Sequence, residues 1–177
     1  MEFLNTIKER IPDYAKDIRL NLDGVLARSS LDQADALGAA LAAAYAARSK
    51  TIVDAIRGSG QLNDTDSNAA LSAAALMGMN NVWYPYVEMT GDAELKTQPA
   101  QLRMQAYATH AGVDKRLFEL YALAASIVGK CHFCVQSHYA LLKQSGMSVE
   151  QLRDVGRIAA VITATANAIA VEEPVTA

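Results

Sequence analysis

Both cysteines of this 177-residue chain, and two of its three histidines, fall in one stretch: Cys131-His132-Phe133-Cys134-Val135-Gln136-Ser137-His138. Two thiols at this spacing can close into a disulfide and reopen, and a nearby histidine can take a thiol proton. On a helix of about 100° per residue, Cys134 lies about 60° from Cys131 and His138 about 40° from Cys134. All three then share one face. Free backbone amides at a helix start favour the thiolate, the reactive form of a cysteine whose ordinary pKa is about 8.5. By spacing alone, Cys131 is the more acidic thiol. Glu119 precedes it by twelve positions, in the mostly apolar run from Leu117 to Val128. A helical hairpin across Gly129 would let this carboxylate meet His138 or a thiol, and so orient a base. The competing reading of Glu119 is an exposed helix charge.

Other residues carry weaker signals. His132 points about 100° away from Cys131. It either flanks a pocket rim or faces water, which makes it a candidate accessory residue. His110 falls in a loop and reads as a surface residue. Trp83, Tyr84 and Tyr86 read as core or subunit-contact aromatics, and Met77, Met79 and Met104 as gap-filling core residues. Zinc is the rival use of the thiols. Cys131, Cys134 and His138 supply three ligands, but a structural zinc wants four, usually from a second loop. There is no second cysteine pair, so His132, His110 or Glu119 would have to complete the set. No metal site is expected. A thioredoxin-like motif would follow a strand in a βαβ unit, and no segment shows strand alternation.

The elements that must hold these residues read as helices throughout. Phe3, Leu4, Ile7 and Ile11 have helical spacing, and Pro12 restarts the chain into a second helix ending near Val25. Ser30-Leu31-Asp32-Gln33 has the form of a capping box. It opens an alanine- and leucine-rich helix to about Arg48, which reads as the buried central helix. Thr51 to Arg57 is short and closed by Gly58-Ser59-Gly60. Asp64 or Thr65 caps the next helix, which ends near Gly78. A further helix from Asn80 to Glu88 is kinked or ended near Pro85. Glu94 to His110 is helical in part, with Pro99 as a first-turn residue. Asp114 caps a helix to Val128. The cysteine helix runs from 131 to about 145, and Ser148-Val149-Glu150-Gln151 is a second capping box for the last helix, to about Val171. Pro174 marks a loose tail. The expected fold is all-α, a multi-helix domain of about eight to ten helices covering residues 1–177 as one unit. A helical duplication is also suggested, since Ala73-Ala74-Ala75-Leu76-Met77-Gly78 aligns with Ala124-Ala125-Ser126-Ile127-Val128-Gly129, placing Asn80 opposite Cys131.

Composition narrows the function classes. Apolar residues make up 51% of the chain, much of it alanine, which excludes a disordered protein. A net charge of -3 with scattered Lys and Arg provides no surface for nucleic acid. Met1-Glu2-Phe3-Leu4 lacks the order of a signal peptide, and the alanine-rich run Leu37 to Ala47 is too short to span a bilayer. A soluble cytoplasmic protein is expected. In a reducing compartment a lone Cys-x-x-Cys is redox-active or metal-binding more often than a staple.

Glu119, eleven residues, Cys131, two residues, Cys134, three residues, His138: this pattern closely resembles the signature of the alkyl hydroperoxide reductase AhpD family, within the carboxymuconolactone decarboxylase-like superfamily. Pro12-Asp13-Tyr14-Ala15-Lys16-Asp17-Ile18, Met77-Gly78-Met79-Asn80-Asn81-Val82 and the chain length extend the resemblance over the whole sequence. The resemblance implies an all-helical, typically trimeric enzyme. It implies weak peroxidase activity and reduction of the peroxiredoxin AhpC. Electrons would come from dihydrolipoamide, carried on a lipoylated acyltransferase subunit and replenished by dihydrolipoamide dehydrogenase, with no tightly bound cofactor. Carried over by position, Cys134 is the thiol oxidised to sulfenic acid and Cys131 the more accessible resolving partner. Glu119 and His138 form the proton relay. Some family members have histidine directly before the second cysteine. Here that position is Phe133, so the role of such a histidine does not transfer to His132.

Two other classes are distinguishable by experiment. A non-redox enzyme of the same superfamily would survive loss of both cysteines. A zinc-stabilised binding module would carry metal when purified.

Overall fold

The computed structural model describes residues 2–172. Its α-helices are α1 (Phe3–Lys8), α2 (Lys16–Ala27), α3 (Gln33–Ala46), α4 (Lys50–Gly58), α5 (Asp64–Thr90), α6 (Gln105–Ala108), α7 (Lys115–Gly129), α8 (His132–Gln144) and α9 (Val149–Glu172). Short 3-10 turns lie at Asp13–Ala15, Leu95–Thr97 and His110–Gly112, and no strand occurs among the described residues. The all-α expectation holds. The tail around Pro174 lies outside the described residues.

The small side chains of α3 explain the layout. Every residue from Ala36 to Ala44 is buried. A helix so stripped of bulk lets neighbouring backbones approach from several sides, and α3 packs against α5, α7 and α9. Gly38 marks one such approach, because a Cβ there would overlap the ring of Tyr121 on α7. Asp35 at the start of α3 is tied to α7 by Arg116 Nη1, 2.7 Å away. Around α3 the helices share one hydrophobic cluster that includes Leu37, Leu41, Phe118, Leu120, Val155 and Ile158.

Local signals behaved differently according to what surrounds them. Asp114 caps α7, accepting from the Leu117 amide at 3.0 Å. The Ser148–Gln151 box is reciprocal: Gln151 N donates to Ser148 Oγ at 3.1 Å, and Ser148 N donates to Gln151 Oε1 at 2.9 Å. The Ser30–Gln33 box does not form. Ser30 N and Oγ both donate to Asp154 on α9 (2.8 and 2.9 Å), and Gln33 donates to Gln61. Both Ser30 donors are drawn to the buried Asp154 carboxylate, a charged acceptor that holds them more strongly than a neutral one. At α5 the cap is Asn63, whose Oδ1 accepts from Asp66 N at 2.8 Å, rather than Asp64 or Thr65.

The largest correction concerns α5. It runs unbroken for 27 residues through Gly78 and Pro85, where two helices were expected, and closes at Gly91 with φ 65°. A glycine costs about 1 kcal/mol in a helix interior and a proline about 3. Packing of α5 along α3 and α7 outweighs both. It follows that Gly78 ends nothing, and the proposed first copy of a duplicated helix–glycine–helix unit has no helix end. Pro12 opens a 3-10 turn before α2 begins at Lys16. Pro99 lies in an irregular segment, not in a first helical turn. Trp83, Tyr84 and Tyr86 are not core residues of this chain, since Trp83 and Tyr84 are half-buried and Tyr86 is exposed. Of the methionines, Met77 is fully buried, while Met79 and Met104 are only half-buried. By length and composition α9, not the Leu37–Ala47 run, is the described helix that could cross a bilayer, but half of its apolar window is buried inside the protein.

Candidate active site

Helix α7 ends at Gly129, where α5 packs closely against it. A Cβ at position 129 would overlap the Asn81 side chain, whose amide donates to Ala125 O at 3.2 Å. The reversal itself falls on Lys130, in the left-handed region at φ 56°. Cys131 follows in extended conformation, its amide donating back to Ser126 O at 3.3 Å. These contacts place Cys131 as the residue that caps α8.

The cap is made by sulfur. Cys131 Sγ accepts from the Cys134 backbone amide at 3.3 Å, in the position usually taken by a serine or aspartate oxygen. The same sulfur is bonded to Cys134 in a disulfide, with Cα atoms 5.3 Å apart. It also lies 4.0 Å from the carbonyl oxygen of Asn80, so the two positions aligned in the supposed repeat touch each other. Neither sulfur residue is open to solvent: Cys131 is 0% exposed and Cys134 2%. Cys131 is therefore not the more accessible of the pair.

One turn beyond Cys134, His138 points into the helix pair rather than out. Its Nδ1 lies 2.5 Å from Glu119 Oε2, and both side chains are buried. A carboxylate only accepts, so Nδ1 carries the proton. Glu119 is thus not an exposed helix charge. Burial alone would push its pKa up. The hydrogen bonds from His138 and Tyr107 outweigh burial and hold it below the ordinary value. The hairpin of α7 and α8 across Gly129–Lys130 brings the pair together from 19 positions apart.

Two neighbours of this pair were not among the candidate site residues. Tyr107, on α6, donates to Glu119 Oε1 at 2.7 Å. Met77, on α5, places its Sδ 3.2 Å from His138 Nε2. Tyr107 belongs to no quoted motif, and Met77, read only as a core residue and as part of the stretch that carries the resemblance, had no assigned link to His138; both come from other helices. Only a helical position facing α7 and α8 could have marked Met77.

His132 stands apart from the relay. It is largely exposed and lies 4.0 Å from Glu88. With Phe133 it borders a cleft of about 650 Å³ beside the start of α8, walled by Trp83, Tyr84, Val87 and Leu95. Phe133 stacks on Tyr84 with ring centroids 4.3 Å apart. His110 is half-buried near Phe118 and takes no part in the site. Among the described residues, no group of three or more His, Cys, Asp and Glu side chains is arranged to hold a metal ion.

Geometrically this is a dithiol–disulfide centre with an ordered proton carrier behind it. Residues 93–177 match the carboxymuconolactone decarboxylase family. Over 171 residues the chain is 46% identical to alkyl hydroperoxide reductase AhpD of Rhodospirillum centenum, covering 96% of this chain and 91% of that protein. The AhpD of Coxiella burnetii is 38% identical over 174 residues (96% and 98%), and that of Maricaulis maris 39% over 171 residues (96% and 98%).

Proposed function

The chain belongs to the alkyl hydroperoxide reductase AhpD family, and from that we propose that it is an antioxidant oxidoreductase in which Cys131 and Cys134 reduce alkyl hydroperoxides. The observation that carries this reading is the Cys131–Cys134 disulfide, one turn of α8 from the His138–Glu119 pair.

In the proposed cycle the reduced centre carries two thiols. His138, oriented by Glu119, takes the proton of Cys134. The Cys134 thiolate attacks the terminal peroxide oxygen and the O–O bond breaks. The alkoxide leaves with the proton held by His138, and Cys134 becomes a sulfenic acid. Cys131 attacks that sulfur, water departs, and the disulfide closes. Dihydrolipoamide then opens it through a mixed disulfide and leaves as lipoamide. The sum is hydroperoxide plus dihydrolipoamide giving alcohol, water and lipoamide. The same dithiol can pass its two electrons to the disulfide of an AhpC-type peroxiredoxin. In this reading the lipoyl group arrives on an acyltransferase subunit recharged by dihydrolipoamide dehydrogenase, and the protein works in the cytoplasm.

At the cap the Cys134 amide points at the Cys131 sulfur, and a helix N-terminus favours the thiolate over the thiol. This favours Cys131 as the thiolate that condenses and leaves readily, with Cys134 beside His138 as the peroxide-reactive sulfur. We also propose a homotrimer. Val82, Tyr86 and Met89 form an exposed apolar stripe along α5 at steps of four and three, which supports a subunit contact.

The test is a free-thiol count on the reduced protein, repeated after cumene hydroperoxide and again after dihydrolipoamide. Loss of both thiols and their full recovery is expected. Thiols that stay free, or a disulfide that does not reopen, would overturn the reading.

A further inference from the structure

Tyr107 has no part in the cycle above, yet its hydroxyl ends on the relay's carboxylate. It stands on α6, a four-residue helix in the long connection between α5 and α7. The phenol ring packs edge-on against Phe118 (centroids 5.9 Å apart) and lies 6.5 Å from the imidazole of His138. Its hydroxyl donates to Glu119 Oε1 at 2.7 Å, while Glu119 Oε2 accepts the hydrogen bond from His138 Nδ1 at 2.5 Å. Both carboxylate oxygens are thus engaged, each by a different helix.

The physical consequence concerns rotation. The terminal torsion of a glutamate is broad, so a carboxylate held at one oxygen can swing about its last bond. Held at both oxygens from opposite sides, it has one plane. Glu119 is 1% exposed, so water has little room to replace a missing partner. An unsatisfied carboxylate oxygen at that depth is costly. Burial, and then the bond to Glu119, raise the Tyr107 pKa above its ordinary value, so the phenol remains a donor.

We propose that Tyr107 is a positioning residue of the redox centre, pinning the Glu119 carboxylate so that Oε2 faces Nδ1 of His138. The claim rests on the Glu119–His138 relay proposed above. Tyr107 does not exchange its proton during turnover. It sets the angle at which Glu119 holds the imidazole, and through it the direction in which Nε2 offers or takes a proton.

The experiment compares wild type, Y107F, E119Q and H138Q as full-length protein. Proton NMR of the disulfide form reads the His138 Nδ1 proton, which a hydrogen bond this short moves far downfield and which H138Q lacks. Steady-state assays use tert-butyl hydroperoxide with dithiothreitol as reductant. In Y107F the downfield resonance is expected to move or vanish, and kcat to fall about tenfold with KM unchanged, the scale of one hydrogen bond to a charged group. A resonance and a kcat that both match wild type would overturn the proposal. If E119Q and H138Q are as active as wild type, the relay itself is wrong. The resonance, which needs no turnover, still decides whether Tyr107 orients Glu119. If E119Q and H138Q are inactive but Y107F behaves as wild type, only the Tyr107 assignment fails. Should Y107F fold poorly, 3-fluorotyrosine placed at position 107 keeps the shape and alters the donor. It too must move the resonance, and an unmoved signal would overturn the assignment.

Discussion

Met77 Sδ and His138 Nε2 stand 3.2 Å apart, on the side of the imidazole away from Glu119. The ring is therefore met at both nitrogens by protein atoms. A thioether is a weak acceptor, so when Nε2 carries a proton the sulfur can accept its hydrogen bond without competing with a thiolate for the proton. The structure holds the oxidised centre, and in that state Cys134 has no proton to exchange.

The Met77 contact separates packing from polarity. Met77→Leu keeps the volume and should cost less than about 1.5 kcal/mol, whereas Met77→Ala leaves a cavity in a fully buried position and should cost about 2–5 kcal/mol. Urea unfolding of the disulfide form measures both. A leucine variant as unstable as the alanine variant would show that the sulfur itself, not its bulk, holds the site.

The two cysteines should differ in what they trap. Cys134→Ser should abolish peroxide turnover. Cys131→Ser should leave a sulfenic acid at Cys134 that a dimedone label captures, seen as one added mass on the intact protein. A label on Cys131 in the Cys134→Ser protein instead would reverse the two roles.

Loss of the relay should slow chemistry without unfolding the protein. Glu119→Gln keeps the shape and the acceptor oxygen but not the charge. Peroxide-dependent oxidation of the dithiol should slow about 10²-fold, at the lower end for a positioned acid–base group. Stopped-flow tryptophan fluorescence or a thiol count with time measures it, with circular dichroism to confirm the helices.

Asp154 predicts how the fold responds to acid. Burial pushes its pKa up, but hydrogen bonds from the Ser30 amide, Arg157, the Ser30 hydroxyl and Arg153 overcome that and hold it at about 2, against an ordinary 3.8. A depressed carboxylate stabilises the fold above its unfolded pKa. That contribution fades as pH falls from 3.8 through about 2. The shift corresponds to about 2 kcal/mol. Asp154→Asn should lower stability at pH 7 by that order and flatten its decline between pH 4 and pH 2. Urea midpoints across this range give the slope.

Gly38 should tolerate no side chain. A Cβ there overlaps the Tyr121 ring, which is itself fully buried. Gly38→Ala should destabilise the protein by about 1–3 kcal/mol despite the better helix propensity of alanine. Pairing it with Tyr121→Phe should not rescue it, because the overlap includes the ring edge as well as the hydroxyl.

By itself the sequence determined the helical class, the buried α3, the caps at Asp114 and Ser148, and the placing of Cys131, Cys134 and His138 at successive turns of one helix start. Each of these depends on residues within a turn or two of one another, where helix geometry alone sets what can meet. It also carried Glu119 as a candidate, because a two-helix hairpin is nearly local. Tertiary structure decided the rest. Tyr107 and Met77 reach the relay from separate helices, 12 and 61 positions from their partners. Ser30 abandons its own helix for a carboxylate 124 positions away. Pro85 fails to end α5 because the neighbours of that helix hold it. Cys131 is buried by the crossing of α5 over the α7–α8 turn. Local propensities differ by about 1–3 kcal/mol, and a buried charge or a packed helix face exceeds that, so wherever the two disagreed the long-range contact prevailed.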